Sequence, residues 1–152
     1  DGYIHPRHAY WWGLPMIAAY EGSRDSRYLD CAIRAGKWYV NAQRADGGMF
    51  RRTCVDFKTD SFGHATSGIA CAAILWQELQ RVTGDSRWLE PIALALQFCE
   101  RMQFTDPEDP NLLGAILEKV LPPDGTDRSP YHIRDLGSIF YVQALSQYLA
   151  AD

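Results

Sequence analysis

Three short segments concentrate the residues of this chain that could do chemistry. YIHPRHAYWW at 3–12 brings together Tyr3, His5, Arg7, His8, Tyr10, Trp11 and Trp12. DFKTDSFGH at 56–64 adds Asp56, Asp60, Phe62 and His64. SPYHIRDLG at 129–137 adds Tyr131, His132, Arg134 and Asp135. All four histidines of the sequence lie in these segments. Aromatic planes beside Asp, His and Arg are what a sugar cleft uses. The rings cover apolar sugar faces, and the polar groups take hydroxyls or a carboxylate.

Two reactions fit these residue types. Glycoside hydrolysis needs two carboxyl groups across the scissile bond, one protonated and one acting as base or nucleophile. Asp60 and Asp135 make that pair, with Asp56 as substitute. Lyase or epimerase chemistry on a uronate needs a cation for the carboxylate and His or Tyr to move the proton. His64, His132, Tyr131 and Arg134 meet that need. The catalytic candidates are thus Asp60, Asp135, His64 and His132. His5, His8, Tyr10, Trp11, Trp12, Asp56, Phe62, Tyr131 and Arg134 are candidates for holding an oligo- or polysaccharide. A non-catalytic glycan-binding module would keep the aromatics and need no acid. Each residue also has a structural role open to it. Trp11 and Trp12 can pack between helices, His8 and His64 can brace them, and Asp60 or Ser61 can cap one. Asp135 can sit in a first turn where the helix dipole favours it, and Arg134–Asp135 can be a surface pair of little worth. The coincidence of three such segments favours function over any single residue.

A repeat reveals the elements that must carry these segments. DSRYL at 25–29 returns as DSRWL at 85–89. After each word the same offsets recur: Leu29, Ala32, Ile33, Gly36, Tyr39 and Gln43 match Leu89, Ile92, Ala93, Leu96, Cys99 and Gln103. Steps of three and four mark one face of a helix. The leading Asp can accept the orphan N–H groups of the first turn. Two equivalent helices are therefore predicted, Asp25–Arg44 and Asp85–Gln103. Each follows a segment apolar almost all round, Tyr10–Tyr20 and Ala65–Leu79, the pattern of a helix buried on all sides. Short glycine turns, EGSR and VTGD, join them. The unit is an αα-hairpin followed by a long loop. Leu136–Leu149 begins a third unit, and a weak helix is expected over Leu112–Val120. Thr105–Asn111 and Leu121–Pro130 read as solvated loop, and Asp46–Gly48 as a tight turn into a short hairpin. The three chemistry-bearing segments are the lead-ins to the three buried helices.

Composition narrows the field. The 152 residues, 47% hydrophobic and 22% charged, fit one ordinary globular domain. The net charge of −4 gives no electrostatic case for nucleic acid or an anionic membrane. No apolar run approaches the ~20 residues of a membrane span. The chain opens at Asp1 with no initiator Met and no signal-peptide pattern. That start is expected of a processed or partial chain, and it leaves the compartment unassigned. Cys31, Cys54, Cys71 and Cys99 lie far apart without a CxxC pair and are expected as free thiols. With no P-loop, GxGxxG, GxSxG or HExxH, neither a cofactor nor a metal is expected.

The strings YLDCAIRAGKWYVNAQRADGGMF and HATSGIACAAILWQELQRVTGDSRWL resemble the (α/α)-toroid proteins of the six-hairpin glycosidase-like superfamily. The resemblance implies an all-α chain of helical hairpins wound into a ring, inner helices along the axis and outer helices around it. It also implies a cleft at the end where the outer-to-inner loops gather. A full ring takes about six hairpins, and this sequence holds roughly two and a half. The expectation is a single partial domain over 1–152, an arc of an (α/α)6 toroid. Its uncovered faces call for the rest of a longer chain, the favoured reading, or self-association. The Gln43…Asp46-Gly47-Gly48 pattern also resembles terpene-cyclase and prenyltransferase repeats. The aromatic that ends those repeats is missing here, as is a DxDD motif, so isoprenoid chemistry is a poor fit. Cys54, Asp56 and His64 loosely resemble a zinc prenyltransferase ligand set, without the spacing of a closed zinc motif.

Overall fold

The computed structural model describes residues 2–61, 63–119 and 132–151. Five α-helices carry the chain: α1 (Leu14–Ser23), α2 (Ser26–Ala42), α3 (Thr66–Thr83), α4 (Leu89–Arg101) and α5 (Asp135–Leu149). Four short strands lie in the loops: β1 (Tyr3–Ile4), β2 (Thr53–Cys54), β3 (Leu117–Lys119) and β4 (His132–Ile133). α1, α3 and α5 form the inner row, and α2 and α4 pack outside it. None of the described helices is long and apolar enough to cross a membrane.

The two repeated words start helices as their chemistry requires. Asp25 accepts the Arg27 N–H at 3.0 Å, and Asp85 accepts the Arg87 N–H at 3.0 Å. Each cap leaves one orphan donor satisfied. The hairpin turns close on left-handed residues, Arg24 (φ 61°) and Gly84 (φ 67°). The two outer helices differ in one respect. The second begins with a 3-10 turn, Ser86–Trp88, before α4. That tighter winding rotates the face, so Trp88 is buried whereas Leu89 is exposed. Trp88 then fills the space beside Gly36, where a Cβ would stand 3.1 Å from its ring and 2.4 Å from Leu79. Trp76 donates its indole N–H to the Gly36 carbonyl at 3.0 Å. A glycine in α2 thus lets the Leu79, Trp76 and Trp88 side chains pack directly on the α2 backbone.

α3 is the centre of the arc, with twelve of its residues buried. It packs against α4 and α5 and, at Gly13 and Leu75, against the π-helical turn Ala9–Gly13 that leads into α1. The all-round apolar patterns of the other two inner helices predicted equal burial, and the structure corrects this. In α1 only Ile17 is buried, and α5 buries Gly137, Phe140, Tyr141 and Ala144 while Ile139, Val142 and Leu149 are exposed. Both helices sit at open edges of the arc, where no further hairpin covers them among the described residues.

The expected helix at Leu112–Val120 is also corrected. A 3-10 turn spans Pro110–Leu112, Gly114 takes φ 80°, and Leu117–Lys119 is strand β3; Val120 lies outside the described residues. The positive φ ends the turn. The Leu117 N–H then bonds the Met102 carbonyl, and Phe104 exchanges bonds with Gly114 and Ala115, which ties the loop back to α4. The DGG turn behaves as read. Gly47 takes φ 85°, and a Cβ there would lie 2.1 Å from the Leu94 carbonyl oxygen. The chain then bridges Phe50 to His64 and pairs Thr53–Cys54 with Tyr3–Ile4.

Candidate active site

Two small sheets bind the lead-in segments together at one end of the arc. β1 pairs with β2, joining the first lead-in to the second. β3 pairs with β4, joining the loop after α4 to the third. In the second sheet Leu117 faces Ile133 and Lys119 faces His132, so Glu118 is the extra residue of a β-bulge. Bulges re-aim a side chain, and this one turns Glu118 inward, where it is only 4% exposed.

Glu118 lies against the start of α3. Its carboxylate accepts the Ser67 N–H at 3.0 Å and the Ser67 hydroxyl at 2.5 Å, while Thr66 donates to the Leu117 carbonyl at 2.6 Å. An acid at a helix N-terminus is favoured by the unpaired N–H groups and the dipole. α5 meets the same carboxylate at Gly137, where a Cβ would stand 3.1 Å from it. α3 meets the first lead-in at Gly68, 2.6 Å by the same measure from Pro6.

A small cleft opens over this junction. Two histidines, His5 and His132, and the acid Glu118 face it together with Arg7, Arg51, Lys119 and Arg134. His5 Nδ1 accepts the Arg7 backbone N–H at 3.1 Å, so its neutral ring carries hydrogen on Nε2. His132 Nε2 accepts Arg134 Nε at 2.8 Å, which places the hydrogen of its neutral ring on Nδ1. Burial, with Arg7, Arg51 and His8 adding to it, pushes His5 down to about 3. Burial lowers His132 too, helped by Lys119, Arg134 and Arg51. Both rings are therefore neutral near pH 7. An arrangement of two neutral imidazoles and a carboxylate can give and take protons on one bound molecule.

The other candidates fall in different places. His64 is buried, edge-on to Phe98 at 5.1 Å, and burial and Arg44 push it down to about 4 against Asp46 and a Leu117 backbone hydrogen bond. It is absent from the cleft lining and braces the Arg44–Asp46 turn. Asp60 is exposed and ion-paired with Arg52 at 2.7 Å, which holds its carboxyl below the usual range. Asp56 pairs with Lys58 at 2.8 Å on the surface. Asp135 stands exposed in the first turn of α5, accepting the Leu136 N–H at 2.8 Å. His8 lies 6.4 Å from His5, ring to ring, and is absent from the cleft lining. Tyr10 packs on Phe140 at 5.0 Å, and Trp11 meets that ring edge-on at 6.3 Å. Trp11 and Trp12 remain 56% and 66% exposed, so neither is core. Phe62 and Tyr131 lie outside the described residues. Of the candidates, then, the cleft gathers His5, His132 and Arg134.

Glu118, Arg51 and Lys119 were missed by sequence reasoning, and Arg7 was noticed without a role. Ile116, just before β3, and Glu118 are both buried, so an acid follows an apolar residue at strand period. No sequence pattern separates that from a helical stretch. Among the described residues no three His, Cys, Asp or Glu side chains are grouped to hold a metal, and Cys54, Asp56 and His64 are not such a group. All four cysteines are free thiols, and burial raises Cys71 and Cys99.

No protein-family model and no curated protein matches the chain. Solved structures do. A family 76 glycoside hydrolase from a bovine Bacteroides thetaiotaomicron strain superposes with a TM-score of 0.75 at 19% identity, over 98% of this chain and 31% of that one. Cellobiose 2-epimerase from Spirochaeta thermophila gives a TM-score of 0.73 at 17% identity, over 98% of this chain and 39% of the other. A D-mannose isomerase gives 0.70 at 14% identity, over 99% and 36%. These are (α/α)6 toroid proteins, and this chain has the fold of an arc of that ring. It spans about a third of the length of these structures.

Proposed function

We propose that this chain is part of a carbohydrate-active toroid enzyme, and that its cleft moves a proton on a bound sugar. The reaction class is epimerisation, isomerisation or elimination. The observation that carries this reading is the pairing of two neutral imidazoles, His5 and His132, in one cleft at the inner-helix N-termini. Such a pair suits removal of a C–H proton next to a carbonyl. One ring takes the proton and the other gives a hydrogen bond to the oxygen that gains charge. His5, with its Nε2–H, is the donor in this scheme. His132 is the base once substrate draws Arg134 off its Nε2. The likeness of the fold to a sugar epimerase and a sugar isomerase supports the same class.

Hydrolysis by Asp60 and Asp135 is the second reading, favoured by the likeness to the family 76 hydrolase. It fits this geometry less well. A general acid needs a raised pKa, and Asp60 is exposed and held down by Arg52.

The test is incubation of the protein, in its full natural length, with a panel of reducing sugars and uronates in deuterated water. Deuterium should enter the carbon next to the carbonyl or carboxyl group, and His5→Asn and His132→Asn should each cut that rate at least about a hundredfold. New reducing ends without deuterium exchange, lost in Asp60→Asn and Asp135→Asn, would establish the second reading instead.

A further inference from the structure

The cleft holds an excess of positive charge that its own acid does not neutralise. Arg7, Arg51, Lys119 and Arg134 all face it, and Glu118 is the one acid in the lining. Glu118 is already engaged by both donors of Ser67. Among the described residues none of the four cations forms an ion pair. Most other arginines near acids do pair, as Arg44 with Asp46 and Arg52 with Asp60. The cluster is also built rather than incidental. β1–β2 pairing brings Arg51 near His5, and the bulge between β3 and β4 sets Lys119 beside His132. The N-termini of α3 and α5 face the same end and add the positive ends of their dipoles.

This arrangement has an electrostatic cost with no internal benefit. Arg7 and Lys119 are half-buried with Arg51 and Arg134 exposed beside them, and burial together with Arg51 and Arg134 lowers Lys119. A bound anion removes that repulsion and turns it into charge-assisted hydrogen bonds.

We infer that the cleft takes a sugar bearing an anionic group, a carboxylate or a phosphate, which Lys119, Arg51 and Arg134 receive while His5 and His132 face the sugar ring. The inference rests on the sugar reading above and adds the charge of the substrate.

The experiment is calorimetric titration of the full-length protein with matched sugars that differ only in charge: glucose, glucuronate and glucose 6-phosphate, then mannose, mannuronate and mannose 6-phosphate, with inorganic phosphate alongside. A charged sugar should bind at least about tenfold tighter than its neutral parent, the gain of one charge-assisted contact. The preference should shrink with added salt. It should fall in Lys119→Met and Arg134→Gln and return in Lys119→Arg, which guards against a folding artefact. Glu118→Gln should keep or strengthen it, because that change removes the opposing charge. The uronate and phosphate arms decide which anion is taken. Equal or tighter binding of the neutral parents would overturn the anionic inference and leave the sugar reading standing. Inorganic phosphate binding as tightly as any sugar phosphate would keep the anion site and sink the sugar reading. No binding by any member of the panel would overturn both.

Discussion

His64 is a buried ring and His5 a half-buried one, both held neutral, and that makes the fold sensitive to acid. Both rings are lowered from the ordinary 6.5, His64 to about 4 and His5 to about 3. Below pH 6.5 the unfolded chain takes up protons that the folded chain refuses. Stability is therefore complete above pH 6.5 and declines as pH falls through the window down to about 4 for His64. The loss from His64 should reach on the order of 3 kcal/mol near pH 4. Its Nε2 has no hydrogen-bond partner, so His64→Phe strands no partner there and gives up only the backbone hydrogen bond to Leu117. Urea titrations at pH 7 and pH 4.5 should show that His64→Phe narrows the gap between the two. An unchanged gap would mean that the ring is already charged or solvated. The histidines of one sequence pattern thus divide by burial. His5 and His132 line a cleft, His64 braces a turn, and spacing alone could not have told them apart.

Close backbone approach decides how the helical hairpins dock. Gly36 of α2 leaves room for Leu79 and Trp88, and Gly47 lies against the backbone of α4. Gly36→Ala should cost roughly 1–3 kcal/mol, since two flexible side chains can shift. Gly47→Ala should cost more, about 3 kcal/mol or above, because φ 85° disfavours any Cβ and the opposing atom is a carbonyl. Guanidinium denaturation of both variants measures this, and a Gly47 variant milder than the Gly36 variant would contradict the packing account. The repeat was legible at this scale because period and caps are local properties. The helix expected at Leu112–Val120 was not, because β3 exists only through its pairing with β4 and the tie of Leu117 to Met102.

The whole molecule is an open arc, and its edges are apolar. Ile139, Val142 and Leu149 of α5 are exposed, as are Trp11 and Trp12 ahead of α1, with Trp11 edge-on to Phe140 of α5. We propose that further hairpins of a longer chain cover these faces in the complete ring. Val142→Asp should then leave the 152-residue arc as stable as before but cost about 2–4 kcal/mol in the longer protein, where the charge would be buried. Equal tolerance in both would mean that the face meets water in either context; self-association of the arc, read by light scattering, is the competing outcome. By itself the sequence determined the helical hairpins, their caps and the DGG turn, and it singled out three lead-ins, of which the first and third line the cleft. These depend on periodicity and on the conformational preferences of single residues. Tertiary structure alone decided that, of the three inner helices with a buried pattern, α3 is the buried centre while α1 and α5 are edges. It also brought Glu118, Arg51 and Lys119 to the histidines, since they come together only through strand pairing and a bulge. Those contacts join residues far apart in the chain, and nothing in local sequence encodes the register that makes them meet.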